Sequence, residues 1–290
     1  MAREAWGRWG AEDEVGAPNL IGPEQVRLAA SLVRTGQVMS LSQPISVRTP
    51  VPKHRAGAMH FMGRDGGDYA AGAKRPGGFQ FAEDTVVLPL HLGTHIDALC
   101  HAWCDDHLYN GFPGATVRST TGALRCGIDK MKPLVTRGVL LDIVRLRGTV
   151  AAPGDAIGRA ELEAAAACAG VALRQGDAVL IRTGWLESQT TGTVDFNAEP
   201  GIDVEAALWL ASRDVAMVGA DNFAIEALPF PAGTVFPVHQ RLIRDHGIPL
   251  LEGMVLRPLA DVGGTTFLFA VTPLPIVGGT GSPVAPVAVL

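Results

Sequence analysis

The chain predicts an α/β fold, a mixed sheet flanked by helices. From residue 138 onward, short runs rich in Val, Ile and Leu alternate with helical segments, the pattern of strands covered by helices. The 35 glycines and 20 prolines punctuate the 290 residues so often that the elements must be short. No internal repeat or linker divides the sequence, so residues 1–290 are expected to form one domain, with an irregular N-terminal arm and loop region over about residues 1–80.

In chain order, Pro23 opens a helix over residues 23–34, and a strand is expected over 37–45. The Gly-, His- and Met-rich stretch 55–78 reads as a long loop, of the kind that often serves as a lid. Residues 85–90 form a strand that runs into a bend at Gly93-Thr94, because glycine takes backbone angles closed to other residues. Strands at 139–143, 177–183 and 215–219 alternate with helices at 159–168 and 204–212. Pro237 and Gly247 bracket a helix over 238–246, and a short strand follows over 248–254.

Composition excludes several function classes. The net charge is −5 with no long basic run, so neither nucleic acid nor an anionic membrane is an expected partner. No apolar stretch approaches the roughly 20 residues needed to span a bilayer. The sequence Met-Ala-Arg-Glu-Ala-Trp-Gly-Arg-Trp-Gly at the start lacks the apolar core of a secretory signal, and a cytoplasmic location is expected. Cys100, Cys104, Cys126 and Cys168 have no framework spacing, which points to reduced thiols.

The chemistry concentrates in His91-Leu-Gly-Thr-His-Ile-Asp-Ala-Leu-Cys-His101, three histidines and an aspartate within eleven residues. Imidazoles with a carboxylate suit zinc or manganese and leave positions open for water and substrate. A straight strand would hold His91 and His95 about 13 Å apart, too far to share an ion whose ligand bonds are about 2 Å. A regular helix would rotate Asp97 off the face of the two histidines. A strand that bends sharply at Gly93 gathers all three.

This motif, His91-x-Gly93-Thr94-His95-x-Asp97-x-x-x-His101, resembles the signature of the metal-dependent cyclase family, which includes bacterial kynurenine formamidase and isatin hydrolase. It departs in having Leu99 where that signature usually has proline. The resemblance continues through Val238-His239, Gly247-Ile-Pro-Leu-Leu-Glu252 and the closing 273–283 segment. It implies a swivelling β/β/α-type fold, a homodimer or homotetramer, His239 and Glu252 as further ligands, and His101 as the acid/base. The helix-then-strand reading independently allows that ligand pair: about 10 Å of helix rise and roughly 16 Å of returning strand bring Glu252 back near His239.

The expected activity is metal-dependent hydrolysis of an amide, cyclic amide or lactone in a small molecule, with one or two divalent ions, Zn or Mn, per subunit. A bound ion activates water and polarises the carbonyl, and no Gly-x-Ser-x-Gly elbow offers a serine route. A non-hydrolytic metal-dependent cyclase or dehydratase is the alternative. A non-haem iron oxygenase using His95, Asp97 and His239 would leave His91 and His101 idle and suits an all-β barrel better. His60, Trp103, Trp185, Asp221 and Asn222 are candidates for the pocket wall, although Asp221-Asn222 and Thr183-Gly184-Trp185 also read as turn chemistry.

Overall fold

A computed structural model describes residues 5–189 and 194–290. The first four residues of the N-terminal arm, part of the segment read for a signal sequence, lie outside the described residues. Eleven strands carry the argument: β1 Val38–Ser40, β2 Met59–Arg64, β3 Glu83–Val87, β4 His95–Asp97, β5 Leu134–Asp142, β6 Ala178–Arg182, β7 Met217–Ala220, β8 Leu250–Glu252, β9 Thr266–Val271, β10 Gly281–Pro283 and β11 Val287–Val289. Nine of them form one mixed sheet in the order β1-β11-β9-β5-β6-β7-β8-β4-β10.

Its centre, β5 to β8, is parallel. Those strands carry nearly continuous apolar runs, Leu140 and Leu141, Ala178 to Ile181, Met217 to Ala220, because both of their faces are covered. The antiparallel β9 instead alternates, burying Phe267, Phe269 and Val271. Gly138 of β5 lies opposite Phe267, whose ring fills the space a Cβ would need. The helix Val204–Ser212 starts where the Asp203 carboxylate accepts from Ala206 N at 2.8 Å, satisfying one of the otherwise unpaired first-turn donors. Helix Arg159–Cys168 buries Leu162, Ala165 and Ala166, the i, i+3, i+4 stripe that faces a core.

Four sequence-based expectations are corrected. The first helix ends at Ala30, where Leu32 N and Val33 N turn to the tighter partners Ala29 O and Ala30 O before Thr35 N and Gly36 N donate to Leu290 O. The strand over 37–45 shortens to Val38–Ser40. The stretch 55–78 is not one loop: β2 pairs with the distant β3 as an antiparallel ribbon that encloses the helix Gly66–Ala70. Both ribbon strands are solvent-exposed, so no alternating pattern announced β2, while the strand expected over 85–90 is β3, shifted to Glu83–Val87 and paired in this ribbon. The helix at 238–246 has one α turn, Pro237–His239, and then a π-helical stretch, Gln240–Asp245, in which His246 N reaches back five residues to Arg241 O. Such π segments concentrate at functional sites. Among the described residues, no helix is long and apolar enough to cross a membrane.

Candidate metal centre

The candidate ligands converge at the edge of the parallel block, where the sheet turns antiparallel through β8, β4 and β10. His95 and Asp97 occupy alternate positions of β4, so both project from one face while Ile96 enters the core. Glu252 of β8 lies directly opposite His95, and its carboxylate lands 3.1 Å from His95 Nε2. His91 comes from the preceding turn, which reverses at Gly93 with φ of 61°. Thr94 holds that turn by donating to Gly253 O at 2.7 Å.

His239 approaches from the other side, its Nε2 3.3 Å from Glu252 Oε1 and 3.8 Å from Asp97 Oδ2. His91 Nε2 is 3.3 Å and His95 Nε2 3.6 Å from Asp97 Oδ1. His101, set by a turn in which its N–H donates to Ala98 O, lays its ring 4.0 Å from that of His91. All six residues singled out in the sequence as ligands or acid/base are thus brought together.

Close approach here does not amount to mutual hydrogen bonding. His91 Nε2, His95 Nε2, both Asp97 carboxylate oxygens and Glu252 Oε1 are buried without a hydrogen-bond partner among the described residues. Leaving so many buried polar atoms unpaired is costly, and their convergence is the arrangement a cation would satisfy. Two sets have ligand atoms within 4.8 Å of one another, His91-Asp97-His101 and His95-Asp97-Glu252, with Asp97 common to both. The nitrogens and carboxylate oxygens suit a borderline ion of the zinc or manganese kind. The His95 ring is fixed by its Nδ1, 2.9 Å from Gly93 O, which leaves Nε2 facing the cluster.

Charge is unevenly divided across the cluster. Burial, with the nearby His101, His95 and Arg55, pushes His91 down to about 2 and keeps it a neutral donor. Burial likewise lowers His101, against the pull of Asp97. His239 goes the other way, up to about 10, because Glu226 and Glu252 outweigh its burial. Glu252 raises His95 by the same means, and burial raises Asp97. The two imidazoles beside Glu252 hold its carboxyl below the ordinary range despite burial.

The weaker candidates separate. Trp185 lines a pocket of about 50 Å³ with His91, Gly93, His95, Phe196 and Phe223. Asp221 accepts from Thr183 N, Thr183 Oγ1 and Gly184 N, so it braces the turn that carries Trp185. It also lines a cavity of about 550 Å³ that shares Gln43, Pro50 and Leu186 with the small pocket. Asn222 is turn chemistry, donating to Pro200 O and accepting from Ile225 N. His60 sits exposed on the ribbon, 2.6 Å from Asp84, and Trp103 is exposed too; neither lines these cavities.

Sequence reasoning missed Arg55, Glu226 and the phenylalanines. Arg55 donates to His91 O at 2.7 Å and lies over the Phe223 ring. Phe196 and Phe223 pass from the small pocket into a cavity of about 820 Å³ that Phe230 and Phe236 also line. Glu226 had a readable signal, a lone acid in the apolar run Ala224-Ile-Glu-Ala-Leu228, where a carboxylate needs a buried partner.

The Cyclase family model matches residues 39–227, well over half of the chain. The chain belongs to the cyclase family. A crystal structure of a novel cyclase shares 38% identity at a TM-score of 0.92, covering 100% of this chain and 99% of that one. An isatin hydrolase bound to the product analogue thioisatinate shares 22% identity at a TM-score of 0.64, covering 91% and 95%. A potential metal-dependent hydrolase with cyclase activity shares 21% at 0.56, covering 87% and 98%. Among curated proteins, nothing matches the chain. Like its structural neighbours in the cyclase family, the chain folds as a large curled mixed sheet flanked by helices.

Proposed function

We propose that this cyclase-family chain is a metal-dependent hydrolase of an amide, cyclic amide or lactone bond in a small molecule. The observation that carries the reading is the convergence of unpaired buried atoms of His91, His95, Asp97 and Glu252 beside an aromatic-lined opening. The isatin hydrolase and metal-dependent hydrolase neighbours support it.

On this reading His91, His95, Asp97, His239 and Glu252 hold one or two divalent ions, Zn or Mn, with Asp97 as the shared ligand. A bound ion supplies Lewis acidity toward the substrate carbonyl and makes water a nucleophile near neutral pH. His101 stays neutral through its burial, able to take a proton from water and pass it to the leaving group. Trp185, Phe196 and Phe223 wall the small pocket, orient a flat or apolar substrate and exclude bulk water. The adjoining cavities, about 820 and 550 Å³, provide the room that the pocket at the cluster lacks.

Ring closure is the same acyl chemistry run in reverse, and the novel-cyclase neighbour keeps a non-hydrolytic cyclase as the second reading. The oxygenase reading loses support because His91 and His101 join the cluster and the sheet is mixed and helix-covered. The test is purified protein with its metals counted, assayed against formamides, cyclic amides and lactones in both directions. Metal-dependent ring opening or deformylation is expected; a fully metallated protein that turns over none of the three classes would sink the hydrolase reading.

A further inference from the structure

We propose that Glu226 is the positioning residue of His239, holding its imidazole so that only Nε2 faces the metal cluster; the proposal rests on the reading of His239 as a ligand. Glu226 is buried between apolar neighbours, where an unpartnered carboxylate would cost several kcal/mol. The partners of its carboxylate all belong to His239 and the residue before it, Val238. Oε2 accepts from Val238 N at 3.0 Å, and Oε1 accepts from His239 N at 3.1 Å and lies 2.7 Å from His239 Nδ1. Among the described residues, no lysine or arginine pairs with it.

One carboxylate therefore fixes both the backbone position and the ring rotation of His239. With Nδ1 engaged, Nε2 is the nitrogen left to point at Asp97 and Glu252. The Phe236 ring meets the imidazole edge-on at 4.9 Å and closes off another orientation. Glu226 is itself anchored, since Ile202 N donates to the carbonyl of Ile225 at 2.9 Å and Gly201 leaves no room for a Cβ against the Glu226 backbone. His95 uses a backbone carbonyl for the same purpose, whereas a carboxylate also raises the donor strength of the ring.

The test measures zinc affinity by competition with a chromophoric chelator for the full chain, Glu226→Gln, His239→Ala and the double variant. Glu226→Gln should bind zinc about 10- to 100-fold more weakly, the usual effect of losing such a partner. In the His239→Ala background the same substitution should change affinity less than about twofold, because the residues act as one unit. The zinc-loaded wild type should also show a downfield His239 Nδ1–H proton resonance that moves upfield in Glu226→Gln. Unchanged affinity in Glu226→Gln, or an equal loss with and without His239, would overturn the proposal while leaving the metal site intact. A wild type that takes up no zinc would overturn the metal reading and the proposal together. If Glu226→Gln does not fold, Glu226→Asp, which keeps the charge and shortens the reach, carries the same comparison.

Discussion

At the scale of single residues, the proposed ligands and the proposed acid/base, His101, call for separate tests. His95 is locked by Gly93 O and faces both Asp97 and Glu252, so His95→Ala should abolish stoichiometric zinc. Elemental analysis of freshly purified protein checks this, and equal metal in variant and wild type would remove His95 from the ligand set. The His101 ring lies 4.0 Å from that of His91 and 6.2 Å from that of His239. If it moves protons, His101→Ala should keep most of the metal and lose roughly 10²- to 10⁴-fold in turnover. Because its atoms also fall within ligand distance of His91 and Asp97, metal content and turnover must be measured on the same preparation.

At the scale of elements, β4 and its two antiparallel neighbours make the site. Asp97 is opposite Gly281 of β10, on the side where a Cβ would come within 2.7 Å of His91 Nε2 and 2.8 Å of Ile96 O. Those distances are shorter than side-chain carbons tolerate, and Ile96 O is backbone that cannot swing away. Gly281→Ala is therefore expected to displace the His91 ring and weaken zinc binding at least tenfold, with the fold retained. Chelator competition beside a thermal melt reads both quantities; wild-type affinity would mean that His91 does not depend on this glycine. The facing turns follow the same logic. A Cβ on Gly253, which has φ of 62°, would come 2.8 Å from Gly93 O, so the reversal after Glu252 packs against the one before His95 only as a glycine, while Gly93 is favoured as glycine by its own φ of 61°.

At the scale of the whole molecule, the sheet joins the two ends of the chain, Val38 of β1 pairing with Val289 of β11. We propose that residues 1–290 fold as one cooperative unit, and a single calorimetric transition would bear this out. Zinc at 100 times its dissociation constant should stabilise the folded state by about 2.7 kcal/mol, raising the melting temperature by several degrees, and chelator should reverse the shift. An unmoved melting point would argue against a native-state site. Affinity should also rise with pH. His239 holds its proton up to about 10 in the metal-free protein, so an ion must displace it, and zinc should bind more tightly at pH 8.5 than at 6.5. The homodimer or homotetramer that the resemblance implies is checked by sedimentation velocity.

What the sequence by itself determined was whatever is local or repeats with a short period. The helices 159–168 and 204–212 match their expected ranges, because an apolar stripe or a capping aspartate marks them within one segment. The candidate metal-ligand motif was legible for the same reason: His91, His95 and Asp97 lie close in the chain and a glycine bend gathers them. Tertiary structure alone decided what depends on partners far apart in sequence. The pairing of β2 with β3 rests on cross-strand bonds rather than on a buried face, the first helix stops at Ala30, and the helix after Pro237 widens into a π turn. Glu226, Arg55 and the phenylalanine walls belong to that second class. Their roles are set by packing and hydrogen bonds across the fold, and a carboxylate or an aromatic ring acquires such a role only when the chain folds its partner against it.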